Sequence, residues 1–149
     1  MNMPLSVRHF RVFVPGHAAP QGSKRHVGHG VMVESSTRLK PWRSDVQSRL
    51  MDADGQPLVK FDSSPVKLSL EFVLKRPVST PKRATPQAAK KPDLDKLVRA
   101  VADAITDAGV WQDDSQIVML HANKRLAELS EVPGCWIHIM EISWWREWK

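Results

Sequence analysis

Runs of alternating or continuous apolar residues at five places along the chain predict β-strands. The clearest run covers 66–74, where every second residue is apolar and most of the residues between are polar. Residues 8–14 alternate in the same way, and further apolar runs lie around 31–33, 115–122 and 136–143. Because successive strand residues face opposite sides, such runs can bury one side of a sheet and expose the other.

Two segments repeat apolar residues every three or four positions, which is the spacing of an amphipathic helix. The first is 39–53, and the second is 93–108, after which Gly109 is suited to end a helix. The apolar positions are Trp42, Val46 and Leu50 in the first segment and Leu94, Leu97, Val98, Val101, Ala104, Ile105 and Ala108 in the second. Each helix therefore has one face suited to burial.

The predicted elements follow one another as strand, strand, helix, strand, helix, strand, strand. This order predicts an α/β (α+β) fold in which a small mixed sheet is flanked by two helices. A chain of 149 residues, of which 42% are hydrophobic, is long enough for a modest core and short for two domains. We therefore expect a single domain over residues 1–149. The segment 17–30, rich in glycine, should be a loop.

Two observations bear on where the protein works. No run of about 18 apolar residues could cross a bilayer, and Arg8, His9 and Arg11 interrupt any signal-like segment. Cys135, the one cysteine, stands in a strand-like apolar stretch, which favours a small core residue over a nucleophile. We expect a soluble, cytoplasmic protein that is stabilised by packing and not by disulfides.

Lysine and arginine are concentrated in the first part of the chain. Residues 1–92 hold sixteen of them against six acidic residues, whereas residues 93–149 hold six against ten. The densest basic segment, 75–91, has six basic residues, three prolines and no acidic residue, and it shows neither helical nor strand periodicity. We expect 75–92 to be a mobile loop. A solvated linker is one interpretation of it, and its charge favours a phosphate-binding segment.

The acidic residues that follow this loop point to a metal site. Asp93 and Asp95 stand at a predicted helix start, where both side chains can turn toward one point and the helix dipole favours anions. Asp113 and Asp114 begin a predicted strand, so their side chains face opposite ways and only one can join the first pair. Three such carboxylates suit Mg²⁺, with Mn²⁺ as an alternative ion, for phosphodiester hydrolysis.

The same acids also have structural interpretations. Asp93 fits a helix cap, and Asp95 fits a first-turn acid that favours the helix dipole. Asp113 and Asp114 fit turn residues. A basic chain with such residues could also bind DNA without cutting it, although carboxylates beside phosphate are repulsive unless a cation intervenes.

The segment PDLDKLVRAVADAITDAGVWQDDSQ, residues 92–116, closely resembles the central motif of the RusA-type Holliday junction resolvases. That motif has an Asp-x-Asp-Asn opening, a lysine in the next helical turn and a later Asp-Asp-x-Gln. Residues 20–25 and 39–43 also resemble phage members of the family. The resemblance implies a homodimer that binds four-way DNA junctions and cuts opposing strands with Mg²⁺, in a bacterial cell and encoded by a phage or prophage.

Matched position by position, the family's essential acids fall on Asp93, Asp95 and Asp114. The chain departs from the motif at two places, where Lys96 replaces an asparagine and Arg99 replaces a functionally important lysine. Arg99 keeps the positive charge in a planar form that suits a bidentate phosphate contact, so we assign it to catalysis with the three acids. The predicted DNA-binding residues are Lys24, Arg25, Lys75, Arg76, Lys82, Arg83, Lys90, Lys91 and Lys96.

Three functions are compatible with these residues. The first is a Mg²⁺-dependent Holliday junction endonuclease, the second is a non-catalytic junction- or DNA-binding protein of the same fold, and the third is a nuclease for forks and flaps. For the dimer, the second helix offers Leu97, Val101 and Ile105 to a two-fold interface. Trp144, Trp145 and Trp148 near the C-terminus fit packing or a dimer contact, and stacking on unpaired bases is the third possibility.

Overall fold

A computed structural model describes residues 7–22, 24–26, 28, 32–34 and 37–142 of the chain. The C-terminal tryptophans lie outside the described residues, and the side chains of 24–26 and 32–34 are not described. The elements are β1 His9–Pro15, β2 Lys24–His26, β3 Met32–Glu34, α1 Leu39–Leu50, β4 Val66–Leu74, α2 Leu94–Asp107, a 3₁₀ helix Asp114–Gln116, β5 Ile117–Leu126 and β6 Gly134–Glu141.

The main sheet has four strands in the order β1, β6, β4, β5. β4 runs parallel to β5, whereas β6 runs antiparallel to both β4 and β1. This confirms the predicted mixed sheet with two helices. The predicted loop at 17–30 needs one correction, because it contains β2, which pairs with β3 in a separate antiparallel ladder. Backbone hydrogen bonds to a neighbouring strand create such a short strand, and side-chain periodicity does not reveal them.

The core lies between one face of this sheet and the two helices. Ile137 and Ile139 of β6 stand directly across from Leu70 and Leu68 of β4, and all four are buried. The helices add buried apolar side chains, which are Leu39, Trp42, Val46 and Leu50 from α1 and Leu97, Ala100, Val101, Ala102, Ala104 and Ile105 from α2. The apolar spacing therefore predicted both helices and most of their buried residues. It is wrong in the end of the first helix, which stops at Leu50 and not at Ala53, and Leu94 and Val98 are only partly buried.

The buried face of α2 corrects the expected dimer interface. Leu97, Val101 and Ile105 are each 0% exposed within a single chain. They belong to the chain's own core, so they are not available to a partner. Apolar spacing identifies a helix face that must be covered, but it does not say whether the chain itself or a second molecule covers it.

The strands β5 and β6 do not have the bounds that the apolar runs at 115–122 and 136–143 predict. Asp114–Gln116 is a 3₁₀ helix, so β5 starts at Ile117, and it extends to Leu126 because it pairs along the whole of β4. β6 starts at Gly134, where an added Cβ would lie 2.2 Å from the carbonyl oxygen of Val14. Glycine is therefore required for β1 and β6 to pair at this point.

Two smaller predictions can be compared with the structure. The side chain of Cys135 is fully buried in β6, which confirms the core assignment, and burial raises the pKa of its thiol. Among the described residues, no helix is long and apolar enough to cross a membrane.

Candidate active site

The first two predicted acids lie where the basic loop meets α2. Asp93 is the N-cap residue, with an extended backbone (φ −71°, ψ 135°), and Asp95 lies in the first helical turn. The Asp93 carboxylate makes no capping hydrogen bond, and one of its oxygens lies 3.6 Å from the Lys96 ammonium. Its side chain is 50% exposed. The position of Asp93 is that of a cap, but its carboxylate stays accessible to a ligand.

A lysine from β5 holds the backbone in front of Asp93. The Lys124 ammonium donates to the carbonyl oxygen of Lys90 at 2.6 Å and to that of Pro92 at 2.8 Å. One cation therefore fixes the loop on both sides of Lys91, and it sets the point at which the chain enters α2. Sequence reasoning gave Lys124 no role, because a contact between residues more than thirty positions apart leaves no local pattern.

The second pair of acids lies in a turn and not in a strand. Asp113 is the N-cap of the 3₁₀ helix, and its carboxylate accepts a hydrogen bond from the Ser115 amide at 2.9 Å. Hydrogen bonds from Ser115 lower the pKa of Asp113. The neighbouring Asp114 is exposed, and its carboxylate accepts no hydrogen bond from the described residues. Asp113 is thus used as a helix cap, and Asp114 stays accessible. The sequence predicted that alternation along a strand would separate the two acids, whereas the structure separates them by this cap.

Gln116 ties this acidic turn to the loop before β4. Its Oε1 accepts from the backbone amides of Gln112 at 2.8 Å and Asp113 at 3.0 Å. Its Nε2 donates to the carbonyl oxygens of Asp62 at 2.8 Å and Ser64 at 2.9 Å. Because an amide side chain has two donors and two acceptor positions, the hydrogen-bonding capacity of this side chain is used in full. The glutamine of the Asp-Asp-x-Gln sequence is therefore a positioning residue.

Arg99 lies on α2, one turn beyond Asp95. Its side chain is exposed and forms no ion pair with any acid in the described part of the chain. A Cβ added at Gly22 would lie 2.7 Å from Arg99 Nη1, and Gly22 has a φ of +102°. The Gln21 amide also donates to the Lys96 carbonyl oxygen at 3.0 Å. The loop after β1 is thus held against the first turns of α2.

The basic loop is organised around Arg76. Its guanidinium donates to Thr85 Oγ1 at 2.6 Å and to the carbonyl oxygens of Pro81 at 2.6 Å and Ala84 at 2.8 Å. Thr85 in turn donates to Glu128 at 2.6 Å. These bonds engage Arg76 in loop structure, which disfavours the DNA contact predicted for it. The other predicted contacts in this loop are exposed, and they are Lys75, Lys82, Arg83, Lys90 and Lys91.

The donor chemistry of the three acids fits a hard divalent cation, because all three are exposed carboxylates. The 3₁₀ helix that contains Asp114 contacts α2, although the contact does not place Asp114 beside the start of that helix. However, no three His, Cys, Asp or Glu side chains of the described residues lie close enough together to hold a metal ion. The fit to Mg²⁺ therefore rests on donor chemistry alone, and the metal site stays a prediction.

The comparison with known families identifies the family of this chain. Residues 14–140 match the family model described as endodeoxyribonuclease RusA. This chain belongs to the RusA endodeoxyribonuclease family. The matched span includes both helices and all the predicted site residues, so the resemblance is confirmed and the family's activity is cutting DNA. Among curated proteins, no sequence matches the chain.

Within this RusA-family chain, the two departures from the motif have different surroundings. Lys96 lies beside Asp93, whereas Arg99 extends toward Gly22. Lys96 is partly enclosed, with its side chain 38% exposed, and Arg99 is open to solvent. Of the two cations, Arg99 is therefore the better placed to meet a phosphate. Lys24 and Arg25 lie in β2, and their side chains fall outside the described part.

Proposed function

We propose that this RusA-family chain is a structure-selective DNA endonuclease that resolves Holliday junctions by hydrolysing paired phosphodiesters in opposing strands. In this proposal Asp93, Asp95 and Asp114 would hold Mg²⁺, with Mn²⁺ as an alternative. One observation carries the proposal: in a chain of an endodeoxyribonuclease family, accessible carboxylates stand where a strongly basic loop meets α2. Action in the cytoplasm of a bacterial cell and an origin in a phage or prophage stay predictions.

The chain's own residues have separable tasks in this proposal. A divalent ion, when bound, would stabilise developing charge and lower the pKa of a bound water. Arg99 would donate its two parallel N–H groups to a phosphate oxygen pair. Lys124 fixes the backbone before Asp93, and Gln116 fixes the turn that contains Asp114. The acids are therefore positioned before the substrate binds.

We also propose that the active form is a homodimer, because two opposing cuts need two sites related by a two-fold axis. β5 is an edge strand of the main sheet. It exposes three consecutive apolar residues, Val118 at 58%, Met119 at 43% and Leu120 at 55%. An open strand edge with apolar side chains favours pairing with another strand. A second copy bound along β5 is consistent with the burial of the α2 face.

The test of the proposed function compares four DNA substrates of matched sequence: a four-way junction, a fork, a flap and a linear duplex. With Mg²⁺, the chain should cut the junction in two opposing strands and leave ligatable nicks, and without a divalent ion it should only bind. Equal cleavage of forks or flaps would identify a broader branched-DNA nuclease. Binding without cleavage under Mg²⁺ and Mn²⁺ would identify a non-catalytic DNA-binding protein.

The acids are tested by single substitutions. Asp93→Asn, Asp95→Asn and Asp114→Asn should each abolish cleavage and leave junction binding intact or tighter, because each removes a metal ligand and a negative charge near phosphate. Asp113→Asn is the matched control, and it should have much less effect because the Asp113 carboxylate caps the 3₁₀ helix. An essential Asp113 beside a dispensable Asp114 would show that the assignment is wrong.

A further inference from the structure

A cavity of about 560 Å³ lies beyond the carboxyl ends of the parallel strands β4 and β5. Val73 and Leu74 of β4 and Leu126 of β5 line one side of it, and the basic loop lines the other side. Val73 is buried, whereas Leu74 and Leu126 are partly exposed. The carboxyl ends of parallel strands are a frequent place for ligands in α/β proteins. The volume is within the range of sites that bind small organic ligands, roughly 300 to 1,000 Å³.

The charged side chains that line this cavity are all basic. Arg38, Lys75, Lys90 and Lys91 line it together with His17. No aspartate or glutamate is found among the described residues that line it. An apolar surface next to several cations complements a ligand with one flat apolar part and one anionic part, and a nucleotide has this composition.

The cavity adjoins the proposed active site. Pro92 lines it, and the next residue is Asp93, the N-cap of α2. The two hydrogen bonds from Lys124 fix the backbone between the cavity and this acid. A DNA strand that passes the acids can therefore place a neighbouring nucleotide in the cavity.

We propose that this cavity binds one unpaired nucleotide of branched DNA, with its base against Leu74 and Leu126 and its phosphate among the lysines. The inference rests on the proposed function in taking branched DNA as the source of the nucleotide. Moving a base out of the stack is least costly where the base is already unpaired or poorly stacked, as it is at a branch point. Binding of such a nucleotide would favour branched DNA over linear duplex, in addition to any selection by the geometry of the dimer.

The test uses four-way junctions that carry 2-aminopurine, a fluorescent adenine analogue whose emission rises when it leaves the base stack, at each position around the branch point. Divalent ions are omitted so that no strand is cut. Emission should rise severalfold at one position when the wild-type chain binds. The cavity-filling double variant Ala88→Leu with Ala89→Leu should abolish this rise, because both residues line the cavity. Ala84→Leu, an exposed loop residue outside the lining, is the matched control and should keep it.

A second measurement separates recognition of a base from recognition of phosphate alone. An abasic residue at the responding position should weaken junction binding by about tenfold in the wild-type chain, and it should not change binding by the double variant. The proposal is overturned if no position responds while the junction binds, if the double variant keeps the response, or if the abasic and intact junctions bind the wild-type chain equally.

Failure of the proposed function would look different, since the wild-type chain would then bind no branched DNA. In that case the cavity is tested with the free 5′-monophosphate of 2-aminopurine deoxyriboside. Its fluorescence anisotropy should rise with the wild-type chain and with Ala84→Leu, and it should rise much less with the double variant. No rise with the wild-type chain, or an equal rise with all three proteins, would overturn the cavity proposal independently.

Discussion

At the scale of single residues, the placement of Arg99 depends on a glycine in another part of the chain. Gly22 leaves room for the guanidinium, and any larger residue there would meet Nη1 at 2.7 Å. The side chain remains exposed on α2, one turn from Asp95. An exposed guanidinium at this position can meet a phosphate with two parallel N–H groups.

Arg99→Ala should therefore reduce the single-turnover rate of junction cleavage by roughly 10²-fold or more, comparable with the loss of one charge-stabilising donor. Arg99→Lys should retain substantial activity, because lysine keeps the charge and is the residue that the family motif has at this position. Neither change should alter the oligomeric mass measured by light scattering. Wild-type turnover by Arg99→Ala would remove Arg99 from the catalytic residues.

At the scale of elements, the acidic turn is held by one side chain. Gln116 bridges the turn before β5 and the loop before β4 with four hydrogen bonds. Gln116→Glu keeps the two acceptors but cannot donate to the Asp62 and Ser64 carbonyl oxygens, and its charge is repelled by them. The turn should then shift away from the position that it has beside α2.

We expect Gln116→Glu to lower the cleavage rate by about 10- to 100-fold, because small misplacements of a catalytic group are costly. The junction dissociation constant should change little, since the turn is not part of the basic loop. Gln112→Glu is the matched control, because the side chain of Gln112 is exposed and makes no hydrogen bond within the described residues. Equal rates for the two variants would contradict the positioning role.

The basic loop is the second element with a testable task. Replacing Lys82, Arg83, Lys90 and Lys91 together by glutamine should weaken binding to all DNA and flatten its salt dependence. Each phosphate contact that is lost should reduce the magnitude of the negative slope of log K against log salt by about 0.9. Lys60→Gln, an exposed lysine outside the loop, serves as a control. An unchanged slope in the fourfold variant would identify the segment as a linker.

At the scale of the whole molecule, the open edge of β5 is where we expect a second chain. Leu120→Lys should place a charge in the interface and shift the mass measured by light scattering from two chains to one. Leu129→Lys is a matched control, because Leu129 is 53% exposed and Leu120 is 55% exposed, but Leu129 lies outside the strand. A wild-type chain that is monomeric at micromolar concentration would contradict the homodimer.

The sequence by itself determined the family and all the elements except β2 and the 3₁₀ helix. Strong periodicity predicted β4, α1 and α2 because burial on one face requires apolar residues at fixed intervals. The first two acids, Asp93 and Asp95, could be proposed as a site because they stand together at a predicted helix start, directly after a basic segment that has no acidic residue. The family could be recognised from one segment, residues 92–116, which lies within the span that the family model matches.

Only the tertiary structure decided what covers each surface and what holds each side chain. Burial of the α2 face in the chain's own core and the anchoring of Pro92 by Lys124 depend on contacts between distant residues. The cap that occupies Asp113 and the bonds of Arg76 within its loop are shorter-range contacts that apolar spacing does not reveal. A local pattern specifies how a segment folds on itself, because neighbours along the chain share one backbone geometry. A local pattern does not specify which distant segment packs against that segment or forms hydrogen bonds with it, since this depends on how all the elements pack together.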